Sequence, residues 1–252
     1  MKKNEADLLL KLNKDFYDSI AFEFDISRSY SWSGWDVLVD KKYILGSDDE
    51  VAILDLGCGN GRFAEFLETR SISSRYVGVD SNRQLLNNAA KRLARSEKIK
   101  FTLIMVNILD QKAIIRQVRD RSRIHNFDLI VLFGVMHHIP SKNYRMSLLK
   151  MCAEFLKPAG TLVFSIWDFV SDDRFSSRMI DPSSIKYQGL KLEENDYILD
   201  WRKGNLAYRY CHFYPPNEIE DLLTDLNLEI IDKFNADGRS GKLNRYYVTR
   251  KS

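Results

Sequence analysis

The chain has 252 residues, is 44% hydrophobic and carries a formal net charge of +3. This length is enough for one large α/β domain, and the hydrophobic content is typical of a soluble globular protein. No apolar run reaches the length of a membrane span, the mild positive charge permits nucleic-acid binding without requiring it, and the three cysteines fit no zinc spacing, so we expect no metal.

The N-terminal segment is predicted to be helical, because apolar residues recur at helical spacing between Leu8 and Phe24. A stretch with two tryptophans, 30–35, interrupts the pattern, and a second helix is predicted to run on to Leu45. We interpret residues 1–48 as a helical cover. Charges break up the short apolar run at the N-terminus, which is not typical of a signal peptide, so we expect a cytoplasmic protein with no membrane partner.

Three glycines follow the first predicted strand. Val51–Asp55 is an apolar run typical of a buried parallel strand, and Gly57, Gly59 and Gly61 come at alternate positions after it. Glycine lets the backbone turn tightly and approach a ligand closely. The helix predicted at 62–69 would point its first N–H groups at that ligand. Simple packing and dinucleotide binding are alternative interpretations of such a turn.

Four more strands are predicted in the middle of the chain, at 76–80, 100–106, 127–133 and 161–167. Asp80 ends the first of them, Asn107 follows the second, and His137 and His138 come shortly after the third. Ligands bind at the carboxyl ends of strands in open α/β sheets, so these side chains are candidates for a site. We expect Ser81 to cap the helix that follows Asp80.

Residues 111–126 are rich in cations. They include Lys112, Arg116, Arg119, Arg121 and Arg123, against the single acid Asp120. A charge run of this kind is usually a solvated helix face, and the alternative is a phosphate-binding surface.

The last third of the chain begins with a polar, irregular stretch at 168–206, which we interpret as a substrate-side insertion. A strand at 206–213, a helix at 215–226 and a closing hairpin of 228–234 with 246–249 are predicted after it. No internal repeat or low-complexity linker divides the sequence. Residues 1–252 are therefore predicted to form a single domain.

Four features together resemble the class I S-adenosylmethionine-dependent methyltransferases. They are the strand with its glycine loop, the strand ending at Asp80, the block from Phe127 to His138 and the Pro-Ala-Gly break at 158–160. The G-x-G-x-G spacing after Asp55 fits that family better than the G-x-G-x-x-G spacing of nicotinamide enzymes. The resemblance implies an α/β, Rossmann-like fold with a mostly parallel central sheet, flanking helices and an antiparallel C-terminal strand. It also implies S-adenosylmethionine as the cofactor.

The resemblance further implies roles for single residues. Asp80 would accept hydrogen bonds from the ribose, and Asn107 and Ile108 would bind the adenine. The cofactor-binding residues implied are Asp55, Gly57, Cys58, Gly59, Asn60, Gly61, Asp80, Ser81, Asn107, Ile108, Leu132 and Phe133. His137 and His138 are the candidate catalytic residues: either one removes a proton from a nucleophile, or both only shape the pocket.

The flanking segments resemble one subgroup, the tRNA wobble-uridine methyltransferases that esterify a 5-carboxymethyl group. Its order and spacing are kept in Phe16–Trp32, Val135–His138, Ser165–Trp167 and Arg209–Glu220. The resemblance implies a modified uridine of tRNA as substrate and brings an activator protein as a further partner. The candidate substrate-binding residues are Tyr17, Arg28, Trp32, Arg209 and His212.

Two departures from the subgroup concern its substrate. Ser81 stands where the subgroup generally has Arg, and only Lys142 and Arg145 remain of the cations after the histidine pair. Both changes remove positive charge from a site meant for a carboxylate and phosphates. The alternatives are therefore a small-molecule O- or N-methyltransferase and, in a different class, a non-catalytic cofactor-binding partner. Salt bridges on a covering segment would equally explain Arg28, Arg209 and His212.

Overall fold

The computed structural model describes residues 1–27, 30–44, 50–185, 190–202 and 206–252. The central strands are β1 (Val51–Leu56), β2 (Ser74–Asp80), β3 (Ile99–Met105), β4 (Phe127–Leu132), β5 (Leu156–Trp167), β9 (Leu228–Ala236) and β10 (Asn244–Lys251). Within the described ranges they form one sheet in the order β3-β2-β1-β4-β5-β10-β9. Strands β1 to β5 run parallel, and β10 and then β9 add antiparallel. The predicted Rossmann-like fold is confirmed.

Helices cover both faces of this sheet. The α-helices in the described ranges are α1 (Lys3–Ser27), α2 (Ser33–Asp40), α3 (Arg62–Thr69), α4 (Arg83–Leu93), α5 (Gln111–Ser122), α6 (Lys142–Phe155), α7 (Asp173–Ser176) and α8 (Glu218–Leu223). All six residues of β1 are buried, and they alternate between two apolar cores. Leu54 packs with Ile114 and Leu148 on one face, and Ile53 packs with Phe63 and Leu67 on the other.

A second sheet lies within and beyond the segment predicted to be irregular. It consists of β6 (Met179–Ile180), β7 (Asp196–Trp201) and β8 (Ala207–His212), all antiparallel. The expectation that 168–206 lacks strands was wrong. The acids Asp196 and Asp200 make β7 look polar, but both are buried and accept hydrogen bonds, from Tyr210 and Arg202 respectively.

Helix α1 packs on this second sheet. Leu9 and Leu12 join a buried cluster with Ile198 and Tyr210, and Phe16 packs further along the same helix against Ala207. Of the predicted helical cover, α1 therefore packs on the second sheet, whereas α2 packs on the central sheet, where Trp35 and Leu38 share a core with Ile53.

Two predicted helix boundaries need correction. The side chain that caps α4 is Asn82, whose Oδ1 accepts a hydrogen bond from Leu85 N at 2.9 Å, and Ser81 is exposed. The second helix ends at Asp40 because the chain turns there, and Leu45 lies outside the described residues.

The cations of α5 lie away from the carboxyl ends of the strands. The helix follows β3 and runs back toward the start of β4, so its Arg-rich last turns approach the opposite edge of the sheet. There the Arg119 guanidinium lies 5.8 Å from the ring of Phe155, just before β5 begins. A solvated face is therefore the better interpretation of this cluster.

None of the helices in the described part of the chain is both long and apolar enough to cross a membrane.

Candidate active site

A cleft of about 1560 Å³ opens over the carboxyl ends of the parallel strands. Residues that follow β1, β2, β3 and β4 line one side of it, and α1 and the segment before α2 line the other. The strand-end residues that line the cleft are Gly57, Cys58, Gly59, Asn60, Asp80, Ser81, Asn82, Asn107, Ile108 and Phe133. The structure thus brings together most of the residues that the sequence singled out.

The three loop glycines have positive φ angles but different surroundings. A Cβ on Gly57 would lie 2.3 Å from a Val135 methyl group, and one on Gly61 would meet Ala89 at 3.0 Å. At Gly59, where φ is +54°, a Cβ would meet nothing within 4 Å. Because Gly59 also lines the cleft, this open space is room for a ligand, whereas Gly57 and Gly61 are glycine for packing.

Asp80 connects the glycine loop to the end of β2. One carboxylate oxygen accepts a hydrogen bond from Gly59 N at 2.9 Å, and the other accepts one from Asn82 N at 2.8 Å. Burial raises the pKa of Asp80, and the N–H groups of Asn82 and Gly59 oppose that shift. The side chain is only partly buried and lines the cleft, so its oxygens can also accept hydrogen bonds from ligand hydroxyls.

Asp55 is the acid before the glycines and lies deeper, with 3% of its surface exposed. It accepts a hydrogen bond from the Tyr76 hydroxyl at 2.6 Å. Burial, and to a lesser extent the nearby Asp80, raises its pKa to about 7, although the Tyr76 hydrogen bond acts in the opposite direction.

The end of β3 offers an open, mixed surface. Asn107 is exposed, and its Oδ1 accepts a hydrogen bond from Leu109 N at 3.0 Å, which fixes the turn after the strand. Met105 beside it is 44% exposed and also lines the cleft. Leu132 does not reach the cleft because it is fully buried in the core below Phe133, so its expected contact with the cofactor is not supported.

These features fit S-adenosylmethionine, the cofactor that the sequence resemblance implies. The space at Gly59 leaves room beside the loop backbone, and Asp80 presents to the cleft a carboxylate that can accept hydrogen bonds from hydroxyl groups. Asn107 and Ile108 lie next along the cleft, and exposed Met105 offers an apolar surface to a flat ring.

Aromatic side chains cover the cleft beside the glycine loop. Trp32 and Trp35 are stacked with ring centroids 5.5 Å apart, and the Phe63 and Phe133 rings meet edge to face at 4.9 Å. Of these four, only Trp32 and Phe133 were predicted from the sequence as site residues.

Asp237 holds this aromatic cover in place and was missed from the sequence. Its carboxylate accepts hydrogen bonds from Gly34 N at 3.0 Å, the Asn244 amide at 2.8 Å and the Tyr246 hydroxyl at 2.6 Å. Ser33 Oγ also donates to it at 3.2 Å, so Asp237 caps the start of α2 from the β9–β10 hairpin. No local pattern could reveal a contact between residues 203 positions apart.

The two histidines lie in a 3₁₀ turn at Met136–His138. Both rings line the cleft, 4.3 Å apart between centroids. His137 is buried beside Trp167, with ring centroids 5.6 Å apart. His138 is less buried: its Nδ1 lies 3.0 Å from the Tyr210 carbonyl oxygen and its Nε2 lies 2.8 Å from the Tyr17 hydroxyl.

Three of the five candidate substrate residues line the cleft: Tyr17, Trp32 and Arg209. Arg209 is 6% exposed, and its guanidinium packs on the ring of Trp167 at 4.4 Å and near that of Phe16 at 5.3 Å. Its Nε is buried, and no carboxylate in the described part of the chain pairs with Arg209. Arg28 lies outside the described residues.

His212 does not line the cleft, contrary to the expectation of a substrate contact. It lies buried in an ionic cluster behind it, with Nδ1 2.7 Å from Asp196 and Nε2 3.0 Å from Glu218. Arg145 donates to the same Glu218 carboxylate at 3.2 Å. Burial acts to lower the pKa of His212, but the hydrogen bonds to Asp196 and Glu218 outweigh burial and raise it.

The predicted insertion contributes Arg174, Phe175, Arg178 and Trp201 to the mouth of the cleft. Arg239, at the tip of the β9–β10 hairpin, lies at the same mouth. Among the described residues, no group of three or more His, Cys, Asp or Glu side chains is placed to hold a metal ion.

Comparison with known proteins agrees with this geometry. Residues 38–233 match the family model described as a methyltransferase domain. A putative methyltransferase of Encephalitozoon cuniculi is 28% identical over 86% of this chain and 87% of its own length. A ubiquinone biosynthesis O-methyltransferase of Nitrosomonas europaea is 25% identical over 73% of this chain and 66% of its own.

The fold also matches solved structures. A crystal structure of an S-adenosylmethionine-dependent methyltransferase from Clostridium acetobutylicum superposes with a TM-score of 0.63 at 18% identity, covering 94% of this chain and 99% of that one. At this identity the likeness concerns the fold, and the family is established by the model match over most of the chain. The chain therefore belongs to the methyltransferase domain family and is an S-adenosylmethionine-dependent enzyme.

Proposed function

We propose that this enzyme methylates a carboxylate oxygen, and that the carboxylate belongs to a modified uridine of tRNA. The observation that carries the proposal is Arg209, a buried cation that faces the cleft with no carboxylate partner in the described part of the chain. A buried charge without a counter-ion is costly. A carboxylate on the substrate would supply that counter-ion.

The surroundings of Arg209 suit a flat, two-oxygen ligand. Trp167 and Phe16 support the guanidinium through its faces, which leaves its edge for hydrogen bonds. Two parallel N–H donors match the two oxygens of a carboxylate, and this arrangement orients the acceptor as well as binding it.

His138 also fits a carboxylate acceptor. Both of its ring nitrogens already lie within hydrogen-bond distance of protein atoms, Tyr210 O and Tyr17 Oη. An alcohol or amine acceptor would need a base to take its proton, whereas a carboxylate is already ionised and nucleophilic at neutral pH. No proton has to leave, so the fixed histidine is no obstacle.

S-adenosylmethionine supplies an activated methyl group, so the protein mainly has to align the two reactants. We propose that Asp80 and the loop around Gly59 hold the cofactor, that Arg209 orients the acceptor, and that the aromatic cover with Trp32 and Phe133 excludes water. Alignment of this kind accounts for a large part of a displacement barrier.

The tRNA part of the proposal is supported by the subgroup resemblance and by the cations at the mouth, Arg174, Arg178 and Arg239. A small-molecule acid is the second candidate, and two observations favour it. Arg174 is already paired with Asp172, and the Arg-rich end of α5 points away from the cleft. A small acid needs only Arg209 and no phosphate contacts.

Labelled methyl transfer tests the proposal directly. The enzyme is incubated with S-adenosylmethionine carrying a labelled methyl group, together with tRNA or with a fraction of small acids. A methyl ester releases its label in mild alkali, whereas an ether or N-methyl group keeps it. Alkali-stable label would overturn the carboxylate proposal, and label in the small-acid fraction alone would overturn the tRNA part.

Arg209 variants provide the second test. Arg209→Met should raise the KM for the acceptor by about tenfold or more, because a charge-assisted hydrogen bond contributes about 1.5–3 kcal/mol. Arg209→Lys should recover only part of this, since lysine lacks the planar fork. Arg75→Met, on β2 away from the cleft, is the control and should leave the KM unchanged. An unchanged KM in Arg209→Met would count against the proposal.

An activator protein, which the subgroup resemblance also brings, is a separate proposal. The labelling assay tests it when the purified chain alone is compared with the chain in cell extract. Full activity of the purified chain would remove the need for such a partner.

A further inference from the structure

We propose that Tyr17 is a positioning residue for methyl transfer. Its hydroxyl fastens helix α1 to His138, and His138 serves as the acceptor of that hydrogen bond rather than as a base that deprotonates the substrate. The residues concerned come from opposite sides of the cleft and are 121 positions apart in the sequence.

The hydrogen-bond pattern fixes which ring nitrogen of His138 carries the proton. Nδ1 lies 3.0 Å from the carbonyl oxygen of Tyr210, which can only accept, so Nδ1 is the donor. In the neutral ring Nε2 then has a lone pair and no proton. The Tyr17 hydroxyl, 2.8 Å from Nε2, is therefore the donor of the second hydrogen bond.

The turn that carries His138 is fixed from several directions. Tyr214 donates to Met136 O at 2.8 Å, and Arg145 donates to Ile139 O at 3.1 Å. These contacts hold both ends of the 3₁₀ turn. These contacts fix the position of His138 Nε2, so α1 has to be positioned for the Tyr17 hydroxyl to reach it.

Helix α1 itself bridges the turn and β8. Asn13 donates to His138 O at 3.3 Å and accepts from Tyr210 N at 2.7 Å. One turn along the helix, Tyr17 makes the contact to the His138 ring. The two residues thus connect α1 to the backbone and to the side chain of the same histidine.

The neighbours of Tyr17 extend this connection to both halves of the cleft. Phe16 packs against the guanidinium of Arg209 at 5.3 Å, and Asp18 accepts from the Asn82 amide at 2.9 Å, two residues after Asp80. Three consecutive residues of α1 therefore contact the acceptor side, the histidine turn and the cofactor side. Loss of the Tyr17 hydrogen bond to His138 would loosen the packing of Phe16 on Arg209. The effect of that loosening on acceptor binding rests on the function proposed above.

Amide hydrogen exchange across residues 9–20, measured with S-adenosylhomocysteine bound, tests the inference without any acceptor. Tyr17→Phe and His138→Leu should each speed exchange about two- to tenfold, the effect of one lost hydrogen bond. The double variant should exchange no faster than either single variant, because all three lack the same contact. Tyr208→Phe is the matched control: Tyr208 packs in the cluster of Leu9 and Leu12 outside the cleft, and exchange should stay at the wild-type rate.

His138→Gln separates positioning from proton removal, because an amide can accept the Tyr17 hydrogen bond but cannot act as a base. We expect wild-type exchange in α1 and turnover within a few-fold of wild type. Loss of turnover by about a hundredfold or more with normal exchange would identify a base and overturn the inference. It would also be overturned if the single-variant effects on exchange multiply in the double variant, or if Tyr17→Phe exchanges at the wild-type rate. None of the exchange results depends on the identity of the acceptor.

Discussion

Single residues divide the glycine loop between packing and binding. Gly57 and Gly61 lie against neighbouring side chains, whereas Gly59 borders open space in the cleft. Asp80 holds the Gly59 amide and remains available to a ligand. Asp55, below them, is buried with an elevated pKa. Substitutions of these residues should therefore change different properties of the protein, although all of them lie in the glycine loop or next to it.

Gly59→Ala should weaken cofactor binding strongly, because the new methyl group projects into the space beside the loop. Gly241→Ala is a close control: it has a positive φ of +67° and open space like Gly59, but it lies outside the cleft. Both variants should lose about 1–2 kcal/mol of stability from the left-handed backbone. Calorimetry with S-adenosylhomocysteine should show loss of affinity only for Gly59→Ala; equal affinities would contradict this assignment.

Asp80→Asn should raise the Kd for S-adenosylmethionine about tenfold or more, because hydrogen bonds to a charged group contribute about 1.5–3 kcal/mol. Asp128→Asn is the control, since Asp128 likewise accepts a hydrogen bond from a backbone N–H, that of Ala52 at 2.9 Å, but does not line the cleft. Titration calorimetry should show normal affinity for that control. Tight binding by Asp80→Asn would mean that the ribose lies elsewhere.

Asp55 should make the cofactor-free protein less stable as the pH rises. Its pKa is about 7 in the folded chain against 3.8 in the unfolded one, so the folded state binds the extra proton between these values. The contribution of Asp55 to stability is therefore greatest below pH 3.8 and is lost as the pH rises toward 7, by at most about 4 kcal/mol. Urea unfolding at a series of pH values should show this decline, and Asp55→Asn should flatten it. Parallel curves for the two proteins would contradict the elevated pKa.

At the scale of elements, a buried ionic cluster holds the second sheet to the rest of the molecule. His212 on β8 joins Asp196 on β7 to Glu218 on α8, and Arg145 joins Glu218 to α6. Tyr210, whose carbonyl holds His138, donates its own hydroxyl to Asp196 at 2.6 Å. The cluster thus supports the histidine turn from behind, which explains the His212 position without any substrate contact.

The stability that this ionic cluster contributes should fall as the pH becomes alkaline. Two carboxylates flank His212, so the imidazolium is favoured and its pKa is raised above the ordinary 6.5. The stabilisation is fully present below pH 6.5 and disappears as the pH rises through the folded pKa. Urea unfolding of the wild type above pH 6.5 should show this loss, and His212→Asn should show a weaker dependence there. A wild-type protein that is equally stable across this range would refute the protonated cluster.

At the scale of the whole molecule, positive charge is divided between two edges of the sheet. Arg178 and Arg239 lie at the mouth of the cleft, whereas Arg119 lies on the opposite edge near Phe155. A net charge of +3 says nothing about this division. An RNA whose base enters the cleft would meet the cations at the mouth.

Paired charge reversals test which edge meets RNA. Arg178→Glu with Arg239→Glu should abolish tRNA binding and leave cofactor affinity intact. Arg116→Glu with Arg119→Glu changes the net charge equally and should leave tRNA binding unchanged. Wild-type binding should weaken steeply with salt, because phosphate contacts release counterions. Binding that ignores salt, or an effect of the α5 pair alone, would point to the small-molecule acid instead.

Local sequence determined the features that depend on neighbouring residues. The apolar run in Val51–Leu56 set a buried strand, the spacing of the glycines set the loop, and Asp80 had to end β2 at the same edge. These properties follow from strand periodicity and from the parallel arrangement, which brings carboxyl ends together. The clustering of these residues at one edge of the sheet could therefore be predicted from the sequence.

Tertiary structure alone decided how the aromatic cover, the histidine turn and the ionic cluster are held. Asp237 reaches Gly34 across 203 positions, Tyr17 reaches His138 across 121, and His212 turns away from the cleft into an ionic cluster. The strand β7 was hidden because its acids look solvent-exposed until their partners, Tyr210 and Arg202, are known. Whether a polar side chain binds a ligand or another part of the chain depends on which distant residue satisfies its hydrogen bonds, and folding, not sequence spacing, brings that residue into contact.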